Sequence, residues 1–262
     1  MSRPGPLVLG ATGHLGRGMR RANLPGLETA LWQSRTPRAG FLTWNFMNDP
    51  APDIVISGVV MLVRGDGDCP DTALAQFACD LGAAHGVPVL LASSQAIYGR
   101  TTGPLSEATP PAPVDPNGRA KLAMEQAVAG ASGVTVLRIG NVAGAGPLFW
   151  SMAKGPVRLD EVTPGQGPQR AFVGAATFGR VVTALLQHDQ LPPVLNVANP
   201  GLLDMADVLR AAGADWRFQP APSTALARVE LDVSELLKLV DVPKVEARAI
   251  LDEARLTGWS MP

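Results

Sequence analysis

The chain has 262 residues, of which 46% are apolar and 17% charged, and a formal net charge of −1. This fits one large globular domain, or one domain with a small appendage. It excludes several classes: there is no basic stripe for nucleic acid and no apolar run long enough to span a bilayer. Cys69 and Cys79, ten apart with no histidine near either, make neither a zinc site nor a disulfide scaffold. The expected partner is a small molecule, with no nucleic acid, membrane or metal. The expected setting is cytoplasmic, because no signal-like apolar stretch precedes the first strand-like run.

In chain order, β-rich runs alternate with helical stretches. "PLVLGA" leads into the helical "GHLGRGMRRAN"; "ETALWQSR" and "GFLTWNF" follow as strand-like runs. "DIVISGVVMLV" precedes the helix "DTALAQFACDLGAAHG". "VPVLLASS" precedes a proline-rich loop and the helix "NGRAKLAMEQAVAGA", and "VTVLRIGNV" comes next. This alternation, with near-continuous apolar strands, predicts an α/β fold: a Rossmann-like doubly wound parallel sheet buried on both faces. After about residue 145 the rhythm breaks into a loop-rich stretch. Then come the helix "ATFGRVVTALLQHD", the strand-like "PPVLNVAN", and helices near "LLDMADVLRAAGA", "VSELLKLV" and "KVEARAILDEARL". The expected division is a dinucleotide-binding domain over 1–145 and a small C-terminal α/β substrate lobe over 146–262, partly interleaved with the sheet and capping its carboxyl ends.

"LVLGATGHLG" sets Gly10, Gly13 and Gly16 between a strand and a helix. Glycines there permit a tight turn and close backbone approach to a pyrophosphate, with the helix N-terminus favouring the anion. Thr12, His14 and Leu15 fall inside the turn and join the expected cofactor site, His14 as a packing residue rather than a catalyst. The next strand ends in Ser34 and Arg35, with Arg38 nearby, where a carboxylate would favour NAD. A guanidinium suits a 2′-phosphate, so the pattern favours NADP over NAD.

"SSQAIYG" and "LRIGNVAGAG" make the chain resemble the extended short-chain dehydrogenase/reductases of the NAD-dependent epimerase/dehydratase family, over nearly its whole length. The resemblance implies that Ser94, four before Tyr98, is the catalytic serine. It also implies that Arg138, Asn141 and Gly144 carry the sixth-strand motif, and that Arg170 and Phe172 match an arginine–phenylalanine segment whose acidic residue is missing over Gly174 to Thr177. Arg170 and Phe149 become candidate substrate contacts, with Trp150 nearby. Asn45 and Phe46 stand where relatives place an adenine-binding aspartate, and Ser57 and Gly58 stand for a turn after the fourth strand. The resemblance further implies a homodimer through a four-helix bundle of "LAQFACDLGAAHG" and "RAKLAMEQAVAGA", and a sugar or nucleotide-sugar type of substrate.

The resemblance also implies a tyrosine four residues before a lysine. Lys121 is in place, but Asn117 fills the tyrosine slot. An asparagine amide donates and accepts hydrogen bonds but does not titrate, so it cannot move a proton as a general acid or base. Tyr98, the single tyrosine, is expected to support the pocket wall rather than replace the acid, and Asp115 to cap a helix or turn. Lys121 either meets the nicotinamide ribose or pairs with Glu125 one turn on. Three functions stay open: an epimerase, dehydratase or reductase-like enzyme with an altered acid/base group; a non-catalytic dinucleotide-binding sensor or partner-binding module; and, last because the glycine turn is intact, a scaffold that binds no cofactor.

Overall fold

The computed structural model describes residues 4–66 and 69–261. Its first half runs β1 (Leu7–Leu9), α1 (His14–Ala22), β2 (Leu31–Ser34), β3 (Leu42–Thr43), β4 (Val59–Met61), α2 (Asp71–His85), β5 (Val89–Ser94), β6 (Pro104–Leu105), α3 (Pro116–Ala127) and β7 (Val134–Ile139). A short 3-10 turn, Gln95–Tyr98, follows β5 directly. The second half runs β8 (Asn141–Val142), α4 (Gly146–Met152), β9 (Val157–Glu161), β10 (Gln169–Arg170), β11 (Phe172–Val173), α5 (Ala175–Leu185), β12 (Val194–Val197), β13 (Leu203–Asp204), α6 (Met205–Ala212), β14 (Trp216–Pro220), β15 (Arg228–Leu231), α7 (Ser234–Leu237) and α8 (Ala247–Leu256).

Seven strands form one parallel sheet in the order β12-β7-β5-β4-β1-β2-β3. Because side chains alternate across a strand, Leu7 and Leu9 enter one core while Val8 enters the other. The Leu7 face packs on Leu74, Ala78 and Leu81 of α2 and Met124 of α3. The Val8 face packs on Met19 of α1 and Phe178, Val181 and Leu185 of α5. Burying each of the Leu, Val, Met and Phe side chains stabilises the fold by about 1.5–3 kcal/mol. Strands with no solvent face must read as continuous apolar runs, which is why "LVL" and "VVM" are wholly buried.

The strand order reverses beside β1. The chain goes outward through β2 and β3, then returns to place β4 on the other side of β1. At such a reversal the connections leave in opposite directions and open a crevice at the carboxyl ends of the strands. The glycine-rich turn after β1 and residues 62–65 after β4 are the two lips of that crevice.

The second half differs in detail from the pattern read in sequence. The loop-rich stretch after residue 145 contains α4 and β9, and β9 pairs in parallel with β14. Phe149, Phe172, Leu209 and Leu251 build a third core there, separate from the two beneath the sheet. β12 nevertheless returns to the main sheet as its edge strand beside β7. Among the described residues no helix is long and apolar enough to cross a membrane. None of their His, Cys, Asp and Glu side chains forms a group of three or more able to hold a metal, and both cysteines are free thiols.

Candidate functional site

A cleft of about 680 Å³ follows the carboxyl ends of β1, β2 and β4. Gly10, Thr12, Gly13 and His14 line one wall, and Gln33, Arg35, Asn45 and Phe46 line the adjoining one. Leu62, Val63 and Arg64 close the side nearest β5.

Two glycines of the turn, Gly10 and Gly16, have a steric reason. Gly10 has φ +81°, a left-handed conformation, and a Cβ on it would lie 2.8 Å from the Val63 nitrogen. A Cβ on Gly16 would sit 2.5 Å from the Ala11 Cα, so α1 could not seat on its own entry turn. Gly13 is the N-cap of α1 with no side chain to cap the first turn, and that turn carries no acidic residue. Its N-terminal amides therefore present uncompensated positive charge to the cleft. The amides of Gly10 and Gly13 are already used, donating to Gln33 Oε1 at 3.2 Å and to the Gly10 carbonyl at 3.0 Å. The group the turn can offer an anion is thus the first turn of α1, His14 to Gly16, shaped by the glycines. The Leu15 side chain packs toward the core. His14 has its pKa lowered by burial and, secondarily, by the charge of Arg17, so the imidazole is neutral at pH 7.

On the adjoining wall, Arg35 is exposed at the cleft. Ser34, expected beside it, does not line the cleft: it is buried, donating its hydroxyl to the Thr36 carbonyl at 2.8 Å and accepting from the Thr36 amide. Gln33 takes the position instead. Its side chain bridges the Gly10 amide and the Trp44 carbonyl, at 3.2 and 2.6 Å, which ties β2 to both neighbouring turns. Only the polar character of Gln33 within an apolar strand hinted at this. Asn45 faces the cleft while its amide donates to Asp49 Oδ2 at 3.0 Å. Phe46 is a wall residue that meets Trp44 edge-on and packs at a tilt against Phe77.

Gly58 does not belong to this site. It lies at the amino end of β4, where its carbonyl accepts from the Leu7 amide and its Cβ position would meet Leu186 at 2.6 Å. The fourth strand begins at Val59, later than the apolar run suggests, so the turn beside the crevice is residues 62–65.

Ser94 ends β5 on the same edge of the sheet, its hydroxyl oxygen accepting from the Ala96 amide at 3.2 Å. Asp115 caps α3, accepting from the Gly118 amide at 2.8 Å, and Pro116 occupies the first turn. A Cβ on Gly118 would be 2.5 Å from the Ala96 carbonyl, so the first turn of α3 presses directly on the turn that follows Ser94. Asn117, half-buried, sits in that first turn, and no hydrogen bond engages its amide among the described residues.

Lys121 is buried one turn further on, and its partner is not Glu125. Its ammonium lies 2.9 Å from Asp71 Oδ1. Glu125 is held by Arg138, with contacts of 2.8 and 3.1 Å to one carboxylate oxygen. Ser93, Tyr98 and Asn196 complete that second network. Burial opposes the charge on Arg138, but the hydrogen bonds and charge of Glu125 hold its pKa above the ordinary arginine value. Tyr98 is buried, its hydroxyl within 3.0 Å of Arg138 Nη1 and 2.8 Å of Asn196 Oδ1. Burial raises the Tyr98 pKa despite those contacts. It is a structural tie, with no access to a ligand.

Phe149 is likewise interior. It packs edge-on against Phe172 and Trp259 in the lobe core and cannot contact a substrate, whereas Trp150 beside it is exposed. The Arg170 guanidinium donates to the Gln169 and Leu226 carbonyls, both at 2.8 Å, and burial lowers its pKa. It lies outside the lining of the cleft. The carboxylate missing from 174–177 arrives from a distant element: Glu253 of α8 accepts from the Thr177 amide at 2.8 Å. A Cβ on Gly174 would collide with it at 2.1 Å, so the local glycine and the remote carboxylate belong together.

A sequence model described as the NAD dependent epimerase/dehydratase family matches residues 71–198, a span that starts at α2 and omits the glycine turn. No curated protein matches the sequence. Solved structures match the fold over almost the whole chain. The UDP-Glc/GlcNAc 4-epimerase from Campylobacter jejuni is 17% identical with a TM-score of 0.78, covering 98% of this chain and 99% of that one. WbmG from Bordetella bronchiseptica, in complex with NAD and UDP, is 20% identical with a TM-score of 0.76, covering 98% and 94%. MoeE5, in complex with UDP-glucose and NAD, is 20% identical with a TM-score of 0.73, covering 97% and 98%. At these identities the likeness establishes the fold: a Rossmann-like α/β sheet shared with NAD-binding epimerases.

Proposed function

We propose that this protein binds a nicotinamide dinucleotide in the cleft and acts on a sugar or nucleotide-sugar type of carbonyl or hydroxyl, as an epimerase, dehydratase or reductase-like oxidoreductase with an altered acid/base group. One observation carries the reading: the uncapped N-terminus of α1 opens into a crevice at the strand-order reversal, beside the edge that ends in Ser94. The open face of Gly13, where a Cβ would meet only the Gly10 carbonyl at 3.3 Å, leaves room for a diphosphate against that turn. When bound, the dinucleotide supplies or accepts a hydride. Arg35 favours a 2′-phosphate and hence NADP, although the neighbours MoeE5 and WbmG were solved with NAD. Ser94 orients the substrate oxygen through its hydroxyl, and the Asn117 amide adds a second, non-titrating contact. The proton that accompanies the hydride reaches the substrate oxygen from solvent, because neither Asn117 nor the interior Tyr98 can deliver it.

Calorimetry with NADPH and NADH, followed by turnover on a panel of keto-sugars and small carbonyls, tests the reading. Micromolar binding with measurable oxidation is expected; no affinity for either carrier would refute it. A second reading, a dinucleotide-binding module without redox chemistry, is supported by Asn117 and by the engagement of Lys121 with Asp71; it expects binding without turnover. A homodimer through α2 and α3, which pack side by side on one face of the sheet, completes the proposal, and sedimentation velocity checks it.

A further inference from the structure

Among the described residues the buried acidic side chains are Asp71 and Glu125, and Glu125 is committed to Arg138. Asp71 opens α2, and the preceding N-cap, Pro70, supplies no side-chain cap. Its Oδ1 accepts twice, from the Gly65 amide and from the Lys121 ammonium, each at 2.9 Å. Gly65 permits this approach: a Cβ there would lie 2.4 Å from the Asp71 nitrogen. One carboxylate oxygen therefore clamps three elements, the turn after β4, the start of α2 and the second turn of α3. Arg64 and Cys69, which flank this point in the chain, line the cleft. Asp71 and Lys121 are only 6% and 7% exposed, so solvent cannot do the same work.

A buried ammonium without a counter-charge either loses its proton or swings its flexible arm toward water. Asp71 Oδ1 sits 2.9 Å from that ammonium, and the Gly65 amide at 2.9 Å fixes the carboxylate in turn. Lys121 has no titrating neighbour at position 117 to activate, so its remaining chemistry is hydrogen-bond donation. Asp71 engages one of its three donors, and no other bond of this ammonium occurs among the described residues.

We propose that Asp71 is a positioning residue: it holds the Lys121 ammonium so that its two remaining donors bind the hydroxyls of the nicotinamide-side ribose. This rests on the dinucleotide reading and adds to it a specific dependence on a carboxylate fifty residues away from the lysine. ADP and ADP-ribose differ by that ribose, so the ratio of their Kd values reads its contribution directly.

The experiment measures both ligands by calorimetry on the full chain, as wild type, Asp71→Asn, Lys121→Met and the double variant, with thermal denaturation run alongside. The wild type is expected to bind ADP-ribose about tenfold more tightly than ADP. Both single variants should lose that preference while ADP affinity stays within about twofold, and the double variant should be no worse than either single. Three results overturn the inference: a preference that survives in Asp71→Asn, an equal loss of ADP and ADP-ribose affinity, or no preference in the wild type. If Asp71→Asn does not fold, Lys121→Met and Lys121→Arg decide it, since the first must lose the preference and the second must retain part of it. A wild type that binds neither ligand removes the dinucleotide reading itself, an outcome distinct from binding that ignores residue 71.

Discussion

The two ends of the candidate site are built from different materials. At the α1 end, binding capacity comes from backbone: a turn shaped by glycines and a helix N-terminus with nothing capping it. At the β5–α3 end it comes from side chains: on the proposed reading Asn117 stands where a titrating group would act, and Lys121 is paired with Asp71. Backbone chemistry needs only shape and survives wide sequence change. Proton transfer needs one particular side chain with a tuned pKa, and a single exchange removes it. A protein with the first end whole and the second altered keeps its ligand more readily than its reaction.

The largest expected effect tests the altered end. Positioned proton transfer contributes about 10²–10⁴-fold in rate, so Asn117→Tyr should raise turnover with NADPH and a keto-sugar panel toward the lower part of that range. Adding Asp71→Asn, which removes the carboxylate that holds Lys121, should cancel part of that gain. No gain in either variant would mean that this end lacks more than a phenol.

Next comes the network behind Ser94. Arg138→Met leaves the Glu125 carboxylate buried without its partner, and urea denaturation should show a loss of about 3–5 kcal/mol. A loss under about 1 kcal/mol would show that the network does not brace this end.

At the other end, Gly10→Ala forces a side chain into φ +81° against the Val63 amide. Strain of this kind costs about 1–3 kcal/mol, and calorimetry should show NADPH affinity falling roughly 30-fold. Arg35→Ser should be milder: about tenfold weaker NADPH binding with NADH little changed. Equal weakening of both carriers would remove Arg35 as the 2′-phosphate contact.

The smallest expected effect is on His14. Its pKa in the free protein is lowered by burial and Arg17, so stability drawn from the neutral imidazole is present above pH 6.5 and declines as pH falls through the lowered value. A diphosphate against the first turn of α1 favours the imidazolium and moves that pKa upward. NMR titration of the His14 ring with and without NADPH should show the rise, and affinity should strengthen as pH drops through the bound-state value. An unmoved His14 would place the diphosphate elsewhere.

Local chemistry made much of this legible. The alternation of apolar runs with helical stretches marked the doubly wound sheet, because strands covered on both faces must be apolar throughout. The glycine turn was readable because φ +81° at Gly10 and the tight seating of Gly16 demand that residue type. Asp115 read as a cap because its carboxylate and the Gly118 amide are close in the chain. Ser34 and Gly58 did not fit the site, because an apolar run does not say where a strand starts or which side chain of its last pair turns inward. Phe149 was ambiguous for the same reason, since an aromatic residue near a loop looks alike whether it packs or binds.

What the sequence by itself determined is thus the order of the elements, the shape of the glycine turn after β1 and the absence of a titrating group at position 117. Only the tertiary structure decided the partners: Asp71 for Lys121, Arg138 for Glu125, Glu253 for the start of α5. The reason is physical. A turn or a cap is set by neighbours in the chain, whereas a buried charge is satisfied by whichever opposite group packing brings within about 3 Å, and sequence distance carries no record of that.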